Sequence, residues 1–182
     1  MTRVYSTRRV FLIGFMGAGK TSVGKALAAR LRWKFCDLDR EIEQREGRSV
    51  AAIFAESGEA GFRRAESEAL KLVLAEHVGE GLVVALGGGA FVQPENRAAL
   101  ERARAFSLLL EAPLEELKRR CRADGTIRPL ASDEKKFAGL FESRRPAYEL
   151  ASARVQTLGK SVEAVAEEIE RLLSATKAEV KK

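Results

Sequence analysis

The segment Gly14-Phe15-Met16-Gly17-Ala18-Gly19-Lys20-Thr21 satisfies the pattern G-x-x-x-x-G-K-[ST]. It follows the apolar run Val10 to Ile13 and precedes a helix-period segment, the strand–loop–helix setting that the pattern requires. Glycines let such a loop wrap so tightly that several backbone N–H groups face one concavity, and the next helix adds a favourable dipole for phosphate. Gly17, Ala18, Gly19, Lys20, Thr21 and Ser22 are the expected phosphate contacts, with the Lys20 ammonium at the β and γ phosphates and the Thr21 hydroxyl on Mg²⁺. A chance glycine turn would match the pattern in roughly one such sequence in 150. The motif predicts an ATP or GTP site and leaves kinase, ATPase, GTPase and helicase open.

Four further groups of residues could supply a second substrate's chemistry. Asp37-Leu38-Asp39, read as an extended segment, points both carboxylates to one side, where they suit Mg²⁺-bound water or an alcohol that loses a proton in phosphoryl transfer. Asp39 could equally cap a helix opening at Arg40. In Phe62-Arg63-Arg64-Ala65-Glu66, Arg63 is either an anion-gripping guanidinium that Glu66 can orient or a surface arginine paired at i+3. Gly87-Gly88-Gly89 closes an apolar run and is either a turn or a place where a ligand ring meets bare backbone. Arg128-Pro129-Leu130 lies in a stretch with Gly125 and little apolar periodicity, which reads as a mobile loop over 122–135.

These residues need a scaffold, and the chain alternates short apolar runs with helix-period segments throughout. Strands are predicted at Val10 to Ile13, Lys34 to Cys36, Leu82 to Leu86, Phe106 to Leu110 and Arg154 to Thr157. Helices are predicted at Lys20 to Arg30, Arg40 to Glu46, Ser49 to Glu56, Glu59 to Glu76, Pro94 to Arg102, Pro113 to Arg122 and Val162 to Leu173. The expected fold is α/β, a three-layer αβα arrangement around a five-stranded parallel sheet, with ligands at the carboxyl ends of the strands.

At 182 residues the chain suits one domain, and 46% hydrophobic content allows a core without disulfide or structural metal. Cys36 and Cys121 are far apart, and His77 is the single histidine, which argues against a zinc or His-based centre. Apolar runs are too short for a membrane span, and no export signal opens the sequence, so a cytoplasmic protein is expected. The net charge of +6 could serve nucleic acid or small anions, but 7% aromatic content without basic–aromatic interleaving favours the latter. His77, Cys121 and Trp33 read as structural.

The phosphate loop, Asp37-x-Asp39, Phe62-Arg63-x-x-Glu66, Gly87-Gly88-Gly89, Arg128-Pro129-Leu130 and Arg144-x-Pro146-x-Tyr148, in this order, closely resemble shikimate kinase. The resemblance runs from about Val10 to Leu173 and implies P-loop kinase architecture with a mobile lid at 122–135 and a substrate-binding helical region at 40–76. It implies transfer of the γ-phosphoryl group of ATP to the 3-hydroxyl of shikimate, with Mg²⁺ as cofactor, as a monomer without nucleic-acid partners. Arg63 and Arg144 would hold the shikimate carboxylate, Gly87, Gly88 and Gly89 would line the same site, and Asp39 would accept from its hydroxyls. Lys20, Asp39 and Arg128 would carry the chemistry, Asp37 would share Mg²⁺ with Thr21, and Arg122 would pack on adenine. A gluconate kinase would share Lys20, Thr21 and the sheet but not Arg63, the three glycines or Arg144. A nucleotide-binding regulatory ATPase is the reading from another class.

Overall fold

A computed structural model of the chain describes residues 6–123 and 134–179. The elements in chain order are β1 Ser6–Ile13, α1 Lys20–Leu31, β2 Lys34–Asp37, α2 Leu38–Glu46, α3 Val50–Glu76, β3 Leu82–Ala85, α4 Pro94–Arg102, β4 Ala105–Glu111, α5 Leu114–Ala123, α6 Glu134–Tyr148, β5 Ala153–Gln156 and α7 Val162–Glu179. The five strands form one parallel sheet in the order β2-β3-β1-β4-β5, with helices supplying the crossovers. Val10, Phe11, Leu12, Leu82, Val83, Val84 and Leu108 are fully buried, as expected for strands covered on both faces.

The predicted strands are all present, and β1 is longer than its apolar run. Its polar beginning pairs irregularly, Ser6 with Ala105 and then Val10 with Phe106, so only the half buried in the sheet was visible as hydrophobic sequence. Gly58, with φ 64 and ψ −174, breaks α3 into the two helical stretches that the sequence suggests. Helix α6 was not anticipated: Gly139 and Pro146 interrupt its pattern, and tertiary packing of Phe137 and Tyr148, both buried, holds it in place. Asp37-Leu38-Asp39 is not an extended segment either. Asp37 ends β2 and caps α2, its Oδ1 accepting from the Asp39 backbone N–H at 3.2 Å, while Asp39 already lies in the first turn of α2.

Trp33 packs half-buried against the core and Cys121 is buried, in keeping with structural roles. His77 closes α3, with Nδ1 3.2 Å from the Val73 carbonyl. Among the described residues no helix is long and apolar enough to cross a membrane.

Candidate active site

A cleft of about 700 Å³ opens at the carboxyl ends of β1, β2 and β3. Its floor is the loop between β1 and α1. Gly14, Gly17 and Gly19 have φ of 144, 80 and 90, and at two of them there is also no room for a side chain. A Cβ on Gly14 would lie 2.6 Å from the Leu110 carbonyl oxygen, and one on Gly17 would lie 2.7 Å from that of Leu117 and 2.9 Å from Cys121 Sγ. The loop is thereby wrapped against β4 and α5, and Gly17, Ala18, Gly19, Lys20, Thr21 and Ser22 all line the cleft. Lys20 Nζ donates to the carbonyl oxygens of Gly14 and Phe15 at 2.9 and 3.0 Å, which keeps the ammonium at the loop rim.

Thr21 Oγ1 donates to Asp37 Oδ2 at 2.8 Å, so two hard oxygens stand together beside the loop. Such a pair fits Mg²⁺, which takes one or two protein oxygens and completes its shell with phosphate and water. Among the described residues no group of three or more His, Cys, Asp or Glu could hold a metal.

The wall facing the loop is Gly87-Gly88, followed by Gly89, and the sequence left the space beside the three missing Cβ atoms to a ligand ring or a turn. That space belongs to the protein's own charged side chains. A Cβ on Gly87 would meet Asp39 Oδ1 at 2.7 Å and Glu66 Oε1 at 2.9 Å, one on Gly88 would meet Arg144 Nη1 at 3.0 Å, and one on Gly89 would meet the Arg63 guanidinium at 2.3 Å. Three successive glycines thus admit side chains from α2, α3 and α6 to one spot.

Arg63 Nη1 donates to Glu66 Oε2 at 2.7 Å, and Nη2 reaches Glu59 at 3.3 Å. Glu66 is completely buried and the Arg63 side chain is 16% exposed, so this is not a surface pair. Burial pushes the Glu66 carboxyl above its ordinary range, with the Arg63 charge pulling it back. Burial opposes the Arg63 charge, yet Glu66 raises its pKa on balance. Arg63 Nε and Glu66 Oε1 are buried without a hydrogen-bond partner among the described residues. Tyr148, a residue whose role sequence reasoning left unassigned, donates its hydroxyl to the Gly88 carbonyl oxygen, and burial raises its pKa to about 12.

At the far end, Arg119, Arg120, Thr157, Gly159, Lys160 and Ser161 line the cleft. Arg122, the predicted adenine contact, does not: it points to the surface and pairs with Glu134 at 2.7 Å. The helical period explains the correction, because on α5 the face turned to the cleft carries Glu116, Arg119, Arg120 and Ala123. Arg120 is anchored by Thr157 Oγ1 at 2.9 Å and Glu116 at 2.7 Å. Arg63 and Gly89 sit behind the cleft wall rather than among its lining residues. Arg128 lies outside the described residues.

The shikimate kinase family model matches residues 16–174. A shikimate kinase from Geobacter metallireducens is 46% identical over 90% of each chain, and one from a Synechococcus species is 41% identical over 92% of this chain and 83% of its own. Among solved structures, shikimate kinase from Acinetobacter baumannii in complex with shikimate superposes with a TM-score of 0.84 at 35% identity, covering 94% of this chain and 96% of that one. A gluconokinase from Sinorhizobium meliloti reaches a TM-score of 0.65 at 15% identity, a likeness of fold alone.

Proposed function

The chain belongs to the shikimate kinase family, ATP-dependent enzymes that phosphorylate shikimate, and on that premise we propose how its own residues divide the work. The observation that carries the assignment is the convergence of Asp39, Arg144 and Arg63 on three consecutive glycines facing the phosphate loop. A carboxylate acceptor needs planar cations, a hydroxyl needs an anionic acceptor, and both must sit within reach of the γ phosphate.

The backbone N–H groups of residues 17–22 cradle the ATP phosphates, and Lys20 turns from its carbonyl partners to the β and γ oxygens. Thr21 and Asp37 would hold Mg²⁺, which when bound would offset the negative charge of the phosphates. Arg144, assisted by Arg63, grips the shikimate carboxylate, and Glu66 fixes the direction of Arg63. Asp39 accepts the hydrogen bond of the 3-hydroxyl and aims its oxygen at the phosphorus. The O–P bond to shikimate forms as the bond to the ADP β-phosphate oxygen breaks, and the hydroxyl proton leaves towards Asp39. Because the transition state is loose, alignment matters more than strength of the base. Arg128, outside the described residues, keeps the γ-phosphate role that the resemblance gives it. Arg119 and Arg120 replace Arg122 at the adenine end. The protein works as a single cytoplasmic domain, a monomer of 20.0 kDa, which light scattering would check and a doubled mass would refute.

The decisive experiment is ADP release measured with shikimate, quinate, gluconate and no acceptor, with and without a chelator. Release with shikimate and Mg²⁺ alone is expected. Equal release with gluconate would overturn the assignment of Arg63 and Arg144, since gluconate presents its carboxylate on a flexible chain.

A further inference from the structure

Phe15 occupies the first variable position of the phosphate loop, yet the residue is only 2% exposed and is not among those that line the cleft. Two rings of α6 grip it edge-on: Phe137 at 5.0 Å between centroids and 89° between planes, and Phe141 at 5.4 Å and 88°. The Arg144 guanidinium carbon stands over the same ring, 5.7 Å from its centroid. Phe137, Phe141, Arg144 and Tyr148 follow at steps of four, three and four residues, so a single stripe of α6 carries both rings, the arginine and the tyrosine that bonds Gly88. The backbone carbonyl of Phe15 meanwhile accepts from Lys20 Nζ. One residue therefore touches both the lysine of the nucleotide side and the arginine of the acceptor side.

The geometry points to Phe15 as a positioning residue for the acceptor: its ring sets the direction of the Arg144 guanidinium, so that affinity for the shikimate carboxylate depends on a residue of the nucleotide loop. This rests on the assignment of Arg144 to that carboxylate. An arginine side chain loses several rotamers when it binds, and an aromatic face that attracts the guanidinium in its bound direction removes part of that loss beforehand. Leucine would keep the site apolar but has no π-face, so Phe15→Leu separates the ring's directing effect from its burial.

Calorimetric titrations of shikimate and, separately, of ADP into the full-length protein, Phe15→Leu, Arg144→Lys and the double variant provide the test. Phe15→Leu is expected to weaken shikimate by about 3- to 30-fold, the range a cation–π contact supplies, and to weaken ADP less. In the Arg144→Lys background the same change should cost no more than about twofold further, because the two residues act through one contact. A full second loss in that background, or a larger loss for ADP than for shikimate, would overturn the positioning role while leaving Arg144 in place. Undiminished shikimate affinity in Arg144→Lys alone would instead remove the assignment of Arg144. Should Phe15→Leu fail to fold, Phe141→Leu, at a half-buried ring, applies the same criterion of non-additivity with Arg144→Lys.

Discussion

Gly89 carries the tightest steric demand of the acceptor wall, because a methyl group there would press on the Arg63 guanidinium at 2.3 to 2.5 Å. The guanidinium is the end of a flexible chain and can move, but only by drawing away from the buried Glu66 carboxylate. Gly89→Ala should therefore raise KM for shikimate about tenfold or more, with KM for ATP nearly unchanged, since breaking one partner of a buried pair costs several kcal/mol. Steady-state kinetics with each substrate varied would check this, and an unaltered KM for shikimate would detach Arg63 from the acceptor. On the nucleotide side, Lys20→Ala removes charge from the transferring phosphate, whereas Thr21→Ala removes a hydroxyl that shares its site with Asp37. Raising Mg²⁺ should partly restore only the second variant. Equal rescue of both in a Mg²⁺ titration of the rate would refute their separate roles.

Elements act here by bringing side chains from separate parts of the chain to one place. Helix α3 can present Arg63 and Glu66 inward while its first stretch takes another course, because Gly58 breaks it at φ 64 and ψ −174. A Cβ at Gly58 would meet nothing within 4 Å, so the cost of Gly58→Ala is conformational rather than steric. Destabilisation of about 1 to 3 kcal/mol is expected in urea unfolding. No loss would mean that the break relaxes into continuous helix at no cost. Helix α6 is held mainly by its tertiary contacts with Phe15 and Gly88, since Pro146 lacks the N–H that its last turn would use.

For the whole molecule, the half-buried Cys36 and the buried Tyr148 contribute to alkaline stability. Burial pushes the Cys36 thiol up from 9.0 to about 12, with Glu41 and Asp37 adding to the shift, and burial pushes Tyr148 from 10.0 to about 12 against the pull of Arg144. The unfolded chain releases these protons near 9.0 and 10.0, while the folded chain retains both until about 12. Over that window the folded state binds more protons, so their contribution to stability is fully present below pH 9.0 and is lost as pH rises towards 12. Tm should decline across this range, and the variant combining Cys36→Ala and Tyr148→Phe should decline less steeply. Parallel declines in a pH series of thermal unfolding would contradict the assignment. Cys36 should also resist alkylation at mildly alkaline pH, because its thiolate is roughly a thousandfold scarcer than at an unshifted thiol.

The five strands, the phosphate loop and the charged residues that gather beside the three glycines were legible in the sequence, because each depends on local chemistry: apolar runs, glycines, and charged residues at fixed spacing within a family pattern. Burial of Glu66 and the pairing of Arg63 with it were foreshadowed only as an i+3 spacing, which fits a surface helix equally well. Tertiary structure decided four things. It placed Asp37 as a helix cap with Asp39 beyond it, since the turn from β2 into α2 falls between them. It turned Arg119 and Arg120, not Arg122, to the cleft, since the rotation of α5 is set by packing of Leu117 and Cys121 beneath Gly17. It formed α6 despite Gly139 and Pro146, and gave the spaces beside three glycines to Asp39, Arg144 and Arg63. Apart from the Asp37 cap, which is local, these depend on contacts between residues far apart in the chain, and no local pattern specifies which distant side chain fills a given space.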